Sequence, residues 1–362
     1  MAGSSSHLRK GVSGSVGMTA WVITLAPSIA FAYCSLPTVP DMRRTALLIT
    51  LILFAPVPAT PQTQQSPPPM VDHTRPHPRI TQTETPGRRV DLKSLKGAKL
   101  FIGPRVNPNR PVPLLIHFHG ASWLVEQHVA RYLPRVALIT VNLGAGSSAY
   151  RRPFEQAETF QNLLSEAAET LGSKRGWSSI TLSGFSAGYG AVREILRRPD
   201  FFALVNNVLL LDGMHASYSP EGKLLADGGT IQASDIEVFV NFARAAVAGG
   251  RVSGRKGARG NSPRVSKSVF NKGDTGRKTF VVTHSEIFPG AYASTTECAD
   301  YLLAQLALTR HPQLRQGPMG MQQLSTVDAG GFHLRGYAGN AAPDHIDFLH
   351  AMPAWFGLLG VK

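Results

Sequence analysis

Cysteine is almost absent from the chain. Its 362 residues contain two, Cys34 and Cys298, too few for a disulfide framework or a cysteine-rich zinc site. No apolar run reaches the roughly 20 residues that a membrane-spanning helix needs. Charged residues are only 17%, yet a 43% hydrophobic share supplies enough core to exclude global disorder. No collagen-like or solenoid period recurs. Glycine (35) and proline (26) are too frequent for a coiled coil or a simple helical bundle. One imbalance stands out: 37 Lys and Arg face 23 Asp and Glu, a formal charge of +14.

Two apolar stretches lie near the start. The first, Trp21 to Tyr33, follows a Gly/Ser-rich leader. The second follows Met42, Arg43 and Arg44: an apolar run from Thr45 to Phe54, then APVPA over 55–59. A short positive region, about ten apolar residues and small residues before a cut form a secretory signal peptide. Val57 and Ala59 take the minus-three and minus-one positions. The expectation is that Met42 is the true start, residues 1–41 being an upstream segment outside the fold. Residues 42–59 are then the signal peptide, and the mature protein is secreted or periplasmic. The membrane is met only through that transient segment. Cys34 follows Phe31, Ala32 and Tyr33, a poor context for lipid attachment.

Residues 60–90, rich in Pro, Gln and Thr, read as a disordered or extended linker. His73 and His77 lie in it and are expected to be solvated rather than to form a metal tract. The remaining cysteine, Cys298, falls in an apolar helical pattern and reads as a buried structural thiol.

From about residue 91 to 362, short apolar runs alternate with amphipathic segments. Strands are expected at 114–118, 137–143, 179–185, 205–211 and 278–284. Helices are expected at 154–171, 187–198, 295–308 and 345–359. Unalternated strands separated by helices imply an α/β domain, with a mostly parallel central sheet and helices on both faces. One stretch breaks the rhythm. Residues 244–278 hold ten Lys and Arg against one acid, Asp274. This Gly-rich insertion carries most of the mature chain's excess charge. It reads as a solvated loop, or as a cationic lid or patch for an anionic polymer. Its single aromatic, Phe270, offers no stacking platform, so nucleic acid is not an expected partner.

The chemistry centres on Gly184-Phe185-Ser186-Ala187-Gly188, a G-x-S-x-G between a strand and a helix. So tight a turn needs glycines beside the serine, because a side chain there would collide with the neighbouring strand and helix. The turn lifts Ser186 off the strand end with a helix amino terminus beneath it. A serine hydroxyl needs a base. His345, late in the chain before an apolar helical run, fits best; His333 and His350 compete. An acid must orient the histidine. Asp212, which closes a strand, is preferred, and Glu286 is the alternative. The turn after the first clear strand, His117 to Trp123, supplies oxyanion donors. The N–H groups of Ala121 and Ala187 are expected in that role, with His119 and Gly120 bracing the loop. His117 and His119 would point to one face of a strand, as metal ligands do. No Asp-His partner or H-E-x-x-H completes a metal set, and no cofactor is implied.

With these residues in the order Ser, acid, His, the chain from about 95 to 360 resembles the α/β-hydrolase family. The resemblance rests on the His119-Gly120 turn, the Ser186 turn and His345. It implies an eight-stranded type of sheet and cofactor-free serine hydrolase chemistry, with a small-molecule or polymer ester as the expected substrate. The turn lacks the further glycines of the lipase-type HGGG motif. The competing expectation is a non-catalytic hydrolase-like protein that holds anionic envelope polymers through its basic insertion.

Overall fold

The computed structural model describes residues 79–249 and 277–361. A ten-stranded sheet organises them. Its strands, in chain order, are β1 (Arg88–Asp91), β2 (Ala98–Ile102), β3 (Val112–Phe118), β4 (Ala137–Val141), β5 (Trp177–Phe185), β6 (Asn207–Leu211), β9 (Thr279–His284), β10 (His311–Gln316), β11 (Gln322–Ala329) and β12 (Phe332–Tyr337). The spatial order is β1-β2-β4-β3-β5-β6-β9-β12-β11-β10. The six strands from β4 across to β12 run parallel, and the two at each edge are antiparallel. A two-stranded ribbon, β7 (Tyr218–Ser219) and β8 (Thr230–Ile231), stands apart.

Two cores cover the two faces of the sheet. Along β3, Leu114, Ile116 and Phe118 enter one core while Leu115 enters the other, the period-2 alternation of a pleated strand. The first core receives helices α3 (Ala157–Leu171), α4 (Tyr189–Leu196), α6 (Ala233–Val247) and α7 (Thr295–Leu306). The second receives α1 (Ser122–Tyr132), α8 (Ala342–His350) and the 3-10 turn Met352–Leu358. Two short helices, α2 (Ser147–Arg151) and α5 (Pro199–Leu204), complete the set. The α/β sheet with helices on both faces is therefore as expected, with ten strands rather than an eight-stranded type. Cys298 is a free, buried thiol in α7.

Several boundaries differ from the sequence reading. The ordered body begins no later than Arg79, not at 91. Arg79 pairs with the buried Asp347 and donates to Pro343 O, Ile80 N–H donates to His350 Nδ1 at 3.0 Å, and β1 pairs with β2. Its polar, mostly exposed side chains give this stretch the composition of a linker. The helix expected from Phe154 begins at Ala157, because Pro153 starts a separate 3-10 turn, Arg152–Glu155. The last helix stops at His350; Pro353 disfavours helix at its predecessor and a 3-10 turn follows.

The ends of the basic insertion belong to the body. Arg244 lies in α6. Lys278 is buried, and its Nζ donates to the carbonyls of Phe202 and Ala203 at 2.7 and 2.9 Å and to that of Val205. Its cation thus meets the carboxyl end of α5, where free carbonyls concentrate. Burial lowers its pKa to about 8. Residues 250–276, and with them the lid and polymer-patch expectations, lie outside the described residues, as do the upstream segment, the signal peptide and His73 and His77. The anchors of the insertion, at the end of α6 and the start of β9, stand at the amino edge of the parallel strands. Ser186 stands at the carboxyl edge. Among the described residues no helix is long and apolar enough to cross a membrane.

Candidate active site

The turn at Ser186 is built by close approach. A Cβ on Gly184 would lie 2.9 Å from the Gly188 backbone, one on Gly188 2.1 Å from Phe118 O, and one on Gly213 2.5 Å from Ser186 O. No carbon fits at such distances, so strands β3, β5 and β6 converge on Ser186 only because these positions are glycine. Ser186 has φ +48°, Asp212 φ +44° and His119 φ +72°. Of the five non-glycine residues with positive φ among those described, three therefore mark one location. Left-handed backbone costs energy in L-residues and concentrates where a side chain must be aimed. The residues after Ser186 open as a 3-10 turn, Ser186–Gly188, before α4 begins at Tyr189.

Asp212 directly follows β6 and is 2% exposed. Its carboxylate accepts four hydrogen bonds. Oδ1 accepts from Ser285 N–H and Thr295 Oγ1, each at 2.8 Å; Oδ2 accepts from Ser285 Oγ at 2.8 Å and from His345 Nδ1 at 2.7 Å. Burial pushes the carboxyl pKa up, but the bond to His345 and its charge, with those of Ser285 and Thr295, outweigh burial and hold it below the usual range. An ionised acceptor fixes the proton of His345 on Nδ1, which leaves Nε2 as a base. Ser285 directly follows β9, and Thr295 opens α7 behind the capping box of Ser294 and Glu297. Two parallel neighbours and one helix start thus converge on a single carboxylate.

Glu286 is placed elsewhere. Its N–H donates to Gly339 O at 2.9 Å, its Oε2 is buried without a partner, and burial raises its pKa. The structure pairs His345 with Asp212 and not with the alternative acid. His345 lies in the first turn of α8 rather than in the loop before it, and its ring stacks on Phe185 at 4.6 Å. The other face of this neighbourhood holds His119, stacked against Phe185 at 5.9 Å. His333 bonds Asp328 on the neighbouring strand β11, and His350 accepts from Ile80; neither reaches the site.

The turn that follows β3 is tied down by His117, whose Nδ1 meets Ser183 Oγ at 3.0 Å and whose Nε2 meets His119 O at 2.8 Å. Gly120 N–H donates to Asn142 Oδ1 at 3.1 Å. A Cβ on Gly120, at φ +113°, would lie 2.7 Å from Leu349. The bracing expected of His119 is thus done by His117, while the His119 ring contacts Tyr150 OH at 2.8 Å and lines a cavity. The two histidines do not share a strand face, because positive φ turns His119 out of the strand. Burial, then the charge of His345, lowers the pKa of His119. Ala187 lines that same cavity, whereas Ala121 precedes α1 and packs on the second core. Among the described residues no group of three or more His, Cys, Asp or Glu could hold a metal ion.

Two cavities flank Ser186. One, about 460 Å³, is lined by Ser186, Asp212, Ser285, Asn340 and His345. The other, about 550 Å³, is lined by Ser186, His119, Ala187, Arg193 and Asp235. His215 and Tyr292 border both. Sequence reading missed His215, whose Nδ1 meets Ala293 O at 3.0 Å; its place after Gly213, three residues from a strand-ending acid, was the available signal. It also missed Ser285 and Thr295, whose role exists only through the pairing of β6 with β9.

The resemblance to α/β-hydrolases drawn from the Ser186 turn extends to the fold. An antiparallel amino edge, the β4-β3 exchange and the serine turn after β5 define that class. No family model matches the chain, and no curated protein matches it. Among solved structures the chain is similar to carboxylesterase CesB (YbfK) from Bacillus subtilis, at 13% identity over 76% of this chain and 92% of that one, with TM-score 0.35. It is similar to Est1E from Butyrivibrio proteoclasticus at 11% identity, over 76% and 99%, TM-score 0.35. It is also similar to esterase 2 from Thermogutta terrifontis at 13% identity, over 77% and 97%, TM-score 0.40.

Proposed function

We propose that the protein is an exported serine hydrolase that cleaves carboxylic esters through Ser186, His345 and Asp212. One observation carries the reading: a fully hydrogen-bonded buried carboxylate holds His345 Nδ1 at 2.7 Å, and that imidazole shares a cavity with a serine on a left-handed turn. His345 Nε2 takes the Ser186 proton as Oγ attacks the ester carbonyl. The developing oxyanion is met by the Ala187 N–H, at the unsatisfied amino end of a helical turn, and by the 119–121 turn with the Ala121 N–H. Nε2–H then protonates the departing alcohol. A water activated by the same imidazole frees the acid and restores Ser186. The Asp212 carboxylate stays ionised throughout and stabilises the imidazolium.

A panel of p-nitrophenyl esters run on wild type and Ser186→Ala tests the reaction. Turnover that disappears with the hydroxyl supports it, and turnover that survives overturns it. Export rests on the Met42–Ala59 pattern. Amino-terminal sequencing of protein recovered from outside the cytoplasm should begin at Thr60; retention of residues 42–59 counts against a cleaved leader.

A further inference from the structure

The two cavities at Ser186 differ in chemistry, and the proposed reaction assigns them different parts of an ester. An imidazole that protonates the leaving group must face it. The alcohol therefore belongs to the cavity that holds His345. The acyl chain belongs to the other, beyond His119 and Ala187.

That second cavity has an unusual wall. The Arg193 side chain is 10% exposed, and its Nη1 lies 3.3 Å from Asp235 Oδ1 and 3.3 Å from Asp235 O. Asp235 Oδ2 is taken by Ser217 N–H at 2.9 Å. The guanidinium carbon sits 5.3 Å from the Tyr189 ring centroid. Tyr189 packs edge-on to His215 at 5.6 Å, and His215 edge-on to Tyr292 at 5.0 Å. Three rings in succession thus lead to a cation beside an anion.

A carboxylate there would meet Asp235, and an ammonium would meet Arg193. A hydroxyl suits both, because it accepts from the guanidinium and donates to the carboxylate. The seven residues from Ser186 to Arg193 rise about 10 Å, and a helical side chain inclines back toward the helix start. A ring-sized spacer therefore fits between the reacting carbonyl and the pair.

We propose that this cavity is an acyl subsite for a ring-bearing acyl group that ends in a hydroxyl, read by Arg193 and Asp235. The proposal rests on the ester-hydrolase reading above. An acyl group without the hydroxyl displaces water from the partly exposed Arg193–Asp235 pair and returns no hydrogen bond, which is the condition under which hydrogen-bonding sites discriminate strongly.

The test uses the mature chain and three methyl esters: 3-(4-hydroxyphenyl)propanoate, 3-phenylpropanoate and 3-(4-methoxyphenyl)propanoate. Wild type should show kcat/KM at least about tenfold higher for the hydroxyl ester than for either other; the methoxy group accepts but cannot donate to Asp235. Arg193→Met and Asp235→Asn should bring the hydroxyl-to-phenyl ratio close to one. The wild-type comparison stands even where a variant fails to fold. p-Nitrophenyl acetate, too short to reach the pair, reports the reaction by itself. p-Nitrophenyl acetate hydrolysed by Ser186, with no hydroxyl preference among the methyl esters, overturns the subsite and leaves the hydrolase reading intact. A preference that persists in both folded variants also overturns it. Failure on all four esters removes the hydrolase reading and the subsite together.

Discussion

Asp212 and Glu286 separate at the level of single atoms. The first has a full set of donors and touches His345; the second has a buried oxygen without a partner. Asp212→Asn should lower kcat by about 10⁴, while Glu286→Gln should leave it within about twofold. Steady-state kinetics on both variants would show it, and the reverse ranking would move the acid to 286. Ser285→Ala removes one donor from the buried carboxylate. Loss of a hydrogen bond to a charged group costs about 1.5–3 kcal/mol, so a reduced kcat with little change in KM is expected. The serine was legible in the sequence because the turn demands glycines at fixed offsets, and the histidine because of its late position before an apolar helix. The acid was less so, since both candidates follow apolar strands and only lateral pairing tells them apart.

Elements meet at this site with almost no clearance. Gly188→Ala must push the α4 start away from β3, since its Cβ falls 2.1 Å from Phe118 O. Overpacking of this kind costs about 1–3 kcal/mol, and the displacement falls on Ser186. Thermal unfolding should show a lower Tm and ester assays a larger loss of kcat; a variant with wild-type values in both would contradict the close approach. The central strands were legible as unbroken apolar runs. The edge elements were not. Strand β10 is almost wholly exposed and β1 nearly so, so neither shows an apolar pattern. Helix α1 hides its amphipathicity by burying Glu126 and His128. Glu126 is matched by Arg89 from β1 at 2.7 Å, a partner that no local pattern reveals.

Across the whole molecule, buried histidines set the response to acid. Burial is the first cause that lowers His117 to about 3, His128 to about 4 and His284 to about 4, the last with help from Arg310. Each would titrate near 6.5 in the unfolded chain. Between about pH 4 and 6.5 the unfolded state therefore binds up to about three more protons than the folded one. Stability rises with pH across that window and is lost on acidification. Above about pH 6.5 these groups are neutral in both states and contribute no slope. Tm measured from pH 7 down to 4.5 should fall progressively, and a flat profile would contradict the burial of these rings. The net charge, by contrast, says little about the fold, since most of the excess sits in residues 244–278.

The central claim is that Ser186 is a nucleophile activated by a histidine held on Asp212. Covalent labelling by a fluorophosphonate, with the modified peptide located by mass spectrometry, tests it most directly. The account predicts one adduct per chain, on Ser186, formed at a rate that collapses in His345→Ala. A folded wild-type protein that takes no label, or that carries it on another residue, would contradict it.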